Sequence, residues 1–112
     1  FLVENQIFEA KENIEVFSAE VESLKQRVRL EVEQALSNLQ EAAGRIETAE
    51  VVVRQAEENR ELAEGRYTSG VGNPIEVTDA LQALRNAKVS RISALADYKS
   101  AQADLENAMG MK

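Results

Sequence analysis

Apolar residues recur along the first part of the chain in alternating steps of four and three. Val3, Ile7, Ala10, Ile14, Phe17, Val21, Leu24 and Val28 form an unbroken seven-residue seam, the repeat of a helix packed lengthwise on another helix. The step from Val28 to Val32 is four where three is due. Such a stutter rotates the apolar stripe. A second seam follows in the new frame: Val32, Ala35, Leu39, Ala42, Ile46, Ala49, Val53, Ala56, Arg60, Ala63 and Tyr67. A third runs through Leu84, Ala87, Arg91, Ala94, Tyr98, Ala101, Leu105 and Ala108. Val77, Leu81, Val89, Ile92, Leu95 and Ala103 lie off that line, so this helix is expected to be apolar on more than one side. The abundance of Ala over Phe and Leu in the later seams predicts close helix packing.

Gly70, Gly72 and Pro74 punctuate the pattern. Gly70 can take the left-handed conformation that closes a helix. Asn73 suits an N-cap, and Pro74 suits the first helical position. Glu76 is placed to reach back to the Asn73 amide as in a capping box. The spacing therefore predicts an all-α hairpin over residues 1–112. A long helix covers about 2–69, a turn 70–73, and a returning helix about 74–109. So short a connection makes the helices antiparallel. At about 1.5 Å per residue the long helix reaches roughly 100 Å and the return about 54 Å. Met109 then comes level with about Gln34, close to the stutter. The first seam, with Phe8 beside it, has no partner in the chain, and an exposed apolar stripe of that length implies one.

Composition narrows the function. The 112 residues include no His and no Cys. Ser-His-Asp and Cys-His catalysis, haem ligation and ordinary zinc sites are thereby excluded, and no disulfide framework exists. Thirteen basic against 20 acidic residues leave a formal charge of −7, the wrong sign for a duplex nucleic-acid binder. No apolar run approaches the roughly 20 residues of a membrane-spanning helix. There is no initiator Met and no signal-type leader, and the chain opens at Phe1 as if cut from something longer. No nucleophile–base arrangement is visible, so neither enzyme activity nor a cofactor is expected.

The turn carries a specific likeness. Ala63-Glu64-Gly65-Arg66-Tyr67-Thr68-Ser69-Gly70-Val71-Gly72-Asn73-Pro74-Ile75-Glu76-Val77-Thr78-Asp79-Ala80 resembles the tip of the second periplasmic hairpin of TolC-family outer-membrane efflux proteins. In that pattern a helix ends in Arg-Tyr, two residues and Gly. After a short loop come an apolar residue, an acidic residue, Val, one residue, Asp and Ala. Val28–Ala35 upstream and Ala101–Gly110 downstream are similar to the family as well. The likeness spans essentially the whole chain but only part of the family's usual length, because the β-strands and the first hairpin are absent.

The resemblance implies a homotrimer in which hairpins close into a hollow α-barrel across the periplasm. A β-barrel carries the duct through the outer membrane of a Gram-negative cell. The implied activity is multidrug export together with an inner-membrane pump and a periplasmic adaptor (membrane fusion) protein. In each repeat of the family a separate short helix stacks on the returning helix to match the long one. The tip residues Tyr67, Gly70, Val71, Gly72, Asn73, Pro74 and Val77 would form the turn and dock the adaptor. Glu76 and Asp79 would form an acidic ring at the duct entrance, six carboxylates in a threefold assembly, repelling anions and concentrating cations. Some family members carry a basic loop residue that helps hold the entrance shut. That place is Gly72 here, so no ionic latch is carried over.

Plainer readings accompany each feature. Turn chemistry alone makes residues 70–74 a generic helix–helix connection. Without a preceding strand or a Gly-Lys-Ser/Thr run they are no phosphate loop. Glu76 and Asp79 suit the positive end of a helix in any protein. Tyr67 is expected to pack, its hydroxyl finding a neighbour across the turn, and Tyr98 belongs to the seam. Arg60 and Arg91 are expected to snorkel at helix edges. The alternative function is a coiled-coil interaction module such as an adaptor hairpin, which need not carry the Tyr-x-x-Gly turn and the acidic pair.

Overall fold

The structure is a computed structural model and describes residues 2–110. Helix α1 runs Leu2–Thr68 and helix α2 runs Pro74–Ala108. They fold back on each other as an extended hairpin, with no strand among the described residues. The molecule is a rod of 104 × 18 × 17 Å. Its length is that of α1, since 67 residues at about 1.5 Å each span roughly 100 Å.

The heptad frames decide which side chains are covered. In α1 the positions withdrawn from solvent begin at Val32 and follow the second seam through Ala63, with Glu64 beside it. In α2 they follow the third seam from Leu84 to Ala108, joined near the turn by Glu76, Val77 and Ala80. The buried set is Ala35, Ala42, Ala49, Val53 and Ala63 from α1, with Ala80, Leu84, Ala87 and Ala94 from α2. Seven of these nine are alanines, so the helices meet through methyl groups rather than through interlocking large side chains. Val53, Leu84 and Ala87 make the one cluster of larger contact, with Ala56 at its edge.

Helix α2 stops well short of its partner. Gly110 adopts φ +78° and donates its N–H to the Asn107 carbonyl at 3.0 Å, a left-handed C-terminal closure. The end of α2 lies beside the stutter: Asp104 and Ala108 border one surface groove with Leu30, Gln34, Ala35 and Asn38. Below that level α1 continues alone, and every member of the Val3–Val28 seam is exposed.

Both helices also carry apolar side chains away from the mutual seam. Leu36, Val51, Val52 and Leu62 on α1, and Leu81, Val89, Ile92 and Leu95 on α2, are exposed. The returning helix is thus apolar on more than one side, as its pattern predicts. Among the described residues no helix is long and apolar enough to cross a membrane. Arg60 pairs with Glu64 one turn along its own helix at 3.0 Å, and Arg91 sits half-buried at the seam edge. Neither reaches across to the other helix in an ion pair.

The seam generates a stability prediction. Ala42 has 0% of its surface exposed, so Ala42→Leu must push the helices apart, at a cost of about 1–3 kcal/mol. The same change at its exposed neighbour Ala43 is expected to be neutral within about 0.5 kcal/mol. Thermal unfolding followed by circular dichroism compares the two. Equal midpoints would refute the close-packed seam.

Candidate functional site at the hairpin tip

The turn is closed by backbone alone. Gly70 takes φ +81°, which a side chain with a Cβ adopts only at a cost of roughly 1–2 kcal/mol. Its N–H donates to the Tyr67 carbonyl at 3.0 Å, and the Val71 N–H donates to the Arg66 carbonyl at 2.9 Å. Together these are the two bonds of a Schellman closure. The Gly72 N–H adds a third bond, again to the Arg66 carbonyl at 2.9 Å. The hydrophobic contact that often accompanies this closure is missing, because Arg66 stands where its apolar member would be and Val71 stays exposed.

Helix α2 restarts at once. Asn73 is extended, with φ −126° and ψ 164°, and its side-chain oxygen accepts the Glu76 N–H at 2.9 Å. Pro74 follows in the first turn, where no N–H is needed. Only half of the expected capping box forms. The Glu76 carboxylate turns away from the Asn73 amide and accepts instead from Arg66 Nε, at 3.3 Å. A cation across the turn attracts a carboxylate more strongly than a neutral amide does. Among the described residues this is the ion pair that joins the two helices; the others are four apart on α1.

Gly72 belongs to the same arrangement. A Cβ there would lie 2.9 Å from Glu76 Oε2, 3.1 Å from Arg66 Cβ and 3.2 Å from the Tyr67 backbone nitrogen. A side chain at position 72 therefore displaces the Glu76 carboxylate and presses on the α1 backbone. The bare backbone lets the carboxylate tuck against the turn within reach of Arg66.

The remaining candidates divide by exposure. Glu76 and Asp79 border one shallow groove together with Arg66, Asn59 and Leu62, so the pair does share a face. Their states differ, however: Glu76 is half-buried and ion-paired, whereas Asp79 is exposed with no ion-pair partner among the described residues. Val77 is half-buried against the hairpin. Tyr67 departs from expectation. It is 52% exposed, and its hydroxyl has no hydrogen-bond partner among the described residues, because α1 ends one residue later and the chain turns away from it. Val71 and Ile75 are each 69% exposed, so the end of the rod presents an apolar crown around a backbone-bonded turn. Arg66 and Ile75 are absent from the sequence-derived candidate set. The Arg-Tyr pair hinted at the first, but only the fold brings residues ten apart together.

Among the described residues, the rod thus combines uncovered apolar stripes with a backbone-closed turn. The sequence model of the outer membrane efflux protein family matches residues 3–111. The chain belongs to that family, and it is thus a component of an outer-membrane efflux channel. Searches of curated proteins and of solved structures each return no match.

The tip arrangement predicts a coupling. Gly72→Ala and Arg66→Met should each lower the stability of the hairpin by about 1 kcal/mol or less, the scale of an exposed ion pair. Combined, they should cost less than the sum, because both remove the Arg66–Glu76 contact. A double-mutant cycle by thermal unfolding measures this, and strict additivity would show that Gly72 does not act through the pair.

Proposed function

We propose that the hairpin is a periplasmic wall element of a trimeric efflux duct, and that its tip docks a periplasmic adaptor and gates the entrance. The observation that carries this reading is the tip itself: a Schellman-closed turn whose apolar side chains are left to face outward. Tyr67, Val71 and Ile75 offer an apolar docking surface at the far end of the rod, with Gly70, Gly72, Asn73 and Pro74 holding the turn and Val77 half-buried in the first turn of α2. Family membership favours this duct reading over an adaptor hairpin. The exposed apolar residues Leu81, Val89, Ile92 and Leu95, on the flank of α2 beside its buried seam, fit a helix with a second neighbour besides α1, as in a closed helical wall.

At the entrance, Glu76 and Asp79 are proposed to supply the acidic ring. The Arg66–Glu76 pair changes its charge. Three protomers would contribute three free Asp79 carboxylates and three nearly neutral pairs, half the charge expected from the acidic residues alone. The field would still exclude anions and favour cations, but Asp79 would dominate it. Opening would follow from relative movement of the tips. An adaptor that binds the open arrangement better would shift the population toward it.

Two experiments test this reading in the full-length trimer. Glu76→Gln with Asp79→Asn is expected to reduce cation preference in bilayer conductance; unchanged selectivity would remove the entrance ring. A charged or bulky residue at Gly70 is expected to impair adaptor-dependent efflux, because φ +81° strains any side chain held in the closed turn. Wild-type drug resistance in such a variant would argue against tip docking.

A further inference from the structure

Charge on α2 is segregated by helix face. Counted in sevens from the tip, Asp79, Asn86, Ser93, Ser100 and Asn107 form one row. Glu76, Ala83, Ser90, Asp97 and Asp104 form the row beside it. A seven-residue step returns to the same side of a helix packed lengthwise on another. The two rows hold four carboxylates, no Lys or Arg, and no apolar side chain larger than alanine. The cations of α2, Arg85, Lys88, Arg91 and Lys99, all lie elsewhere, as do the exposed Leu81, Val89, Ile92 and Leu95. Apart from the half-buried Glu76, both rows are exposed along their whole length.

These rows share one long side of the hairpin. The groove at the tip joins Glu76 and Asp79 to Asn59 and Arg66 of α1. The groove at the other end of α2 joins Asp104 to Gln34 and Asn38. Asn38 stands three heptads from Asn59, and Asp104 four from Glu76, so both grooves open on the same side. A third groove, with Leu81, Arg85, Lys88 and Ile92, draws on the opposite flank of α2. The rows of α1 that border the first side carry Glu41, Arg45 and Arg66 as their only charges. Arg45 pairs with Glu41 at 3.5 Å and Arg66 with Glu76 at 3.3 Å. Asp79, Asp97 and Asp104 are left without an ion-pair partner among the described residues.

We propose that this side of the hairpin faces the passage of the duct, and that Asp97 and Asp104 form a second acidic zone inside it that favours cationic cargo. The inference rests on the duct reading, in which Glu76 and Asp79 face the entrance; the same rows carry that orientation up the wall. A surface over which solutes move needs small, hydrated side chains that bind weakly enough to let go. Ser, Asn and Ala supply them here. The opposite side presents long side chains of both signs and large apolar groups, which suit contacts with other helices.

The two acidic zones act separately. Asp97 lies 18 residues beyond Asp79, or about 27 Å along the helix. The screening length at physiological ionic strength is about 8 Å, so neither zone feels the other. Asp97 and Asp104 are one heptad apart, about 10 Å, and reinforce each other. The inner zone therefore keeps its preference for cations when the tips move and spread the entrance carboxylates.

Current recording from the full-length trimer under a salt gradient tests this. Asp97→Asn with Asp104→Asn is expected to lower the cation-to-anion permeability ratio about twofold, a fraction of kT in wall potential. Lys88→Gln with Lys99→Gln should leave the ratio unchanged. In a trimer with no other cysteine, a positively charged thiol reagent should reduce the conductance of Ser93→Cys and not that of Arg85→Cys. The current itself reports that each variant has assembled. Block at Arg85→Cys and not at Ser93→Cys would turn the other side inward and overturn the inference. A ratio that falls in Glu76→Gln with Asp79→Asn but not in the Asp97 and Asp104 variant would overturn it too, while leaving the entrance ring in place. A response of the Asp97 and Asp104 variant alone would uphold the inner zone and remove the entrance ring.

Discussion

Everything in this molecule follows from a mismatch: α1 bears two apolar stripes in different heptad frames, and the chain supplies a partner for one of them. The stutter between Val28 and Val32 is where the change happens, and burial in α1 starts at Val32. A continuous seam would have kept one face inward along the whole helix. The extra residue in the step rotates the stripe, so the lower part of α1 is built to face something other than α2. Helix α2 respects the same boundary, ending at Ala108 with a left-handed Gly110 behind it.

The tip obeys a different economy. There the backbone does the folding, through Gly70 and the Arg66 carbonyl, and the side chains are released for other contacts. Glu76 shows what this permits. Its amide serves the N-cap of α2 while its carboxylate serves α1 through Arg66. Gly72 contributes by having no side chain. One residue type on each helix and one vacancy in the turn together set how much charge the end of the rod carries.

Much of this architecture is legible in the residues, because helices of this kind are one-dimensional. Seam positions, the stutter, Gly70 and the Asn73-Pro74 restart are all local or periodic signals, and the buried positions follow the heptad frames with few exceptions. What escapes the sequence is the part that depends on contacts across the turn. The capping box gives way to the Arg66–Glu76 pair because residues ten apart are neighbours only once the hairpin has closed. Tyr67 continues the seam in spacing, yet it lies beyond the last covered layer and points into solvent. Spacing cannot show where a partner helix has already turned away. Ile75 was hidden for a similar reason, since its place in the motif says apolar without saying exposed.

The alanine seam has a mechanical consequence. Methyl groups give a contact surface of low relief, so a small axial slip of one helix on the other lifts few knobs out of deep holes and uncovers little apolar area. A leucine seam of the same length would index the helices like a ratchet. The single larger cluster at Val53, Leu84 and Ala87 then acts as the fulcrum about which two smooth rails can shear.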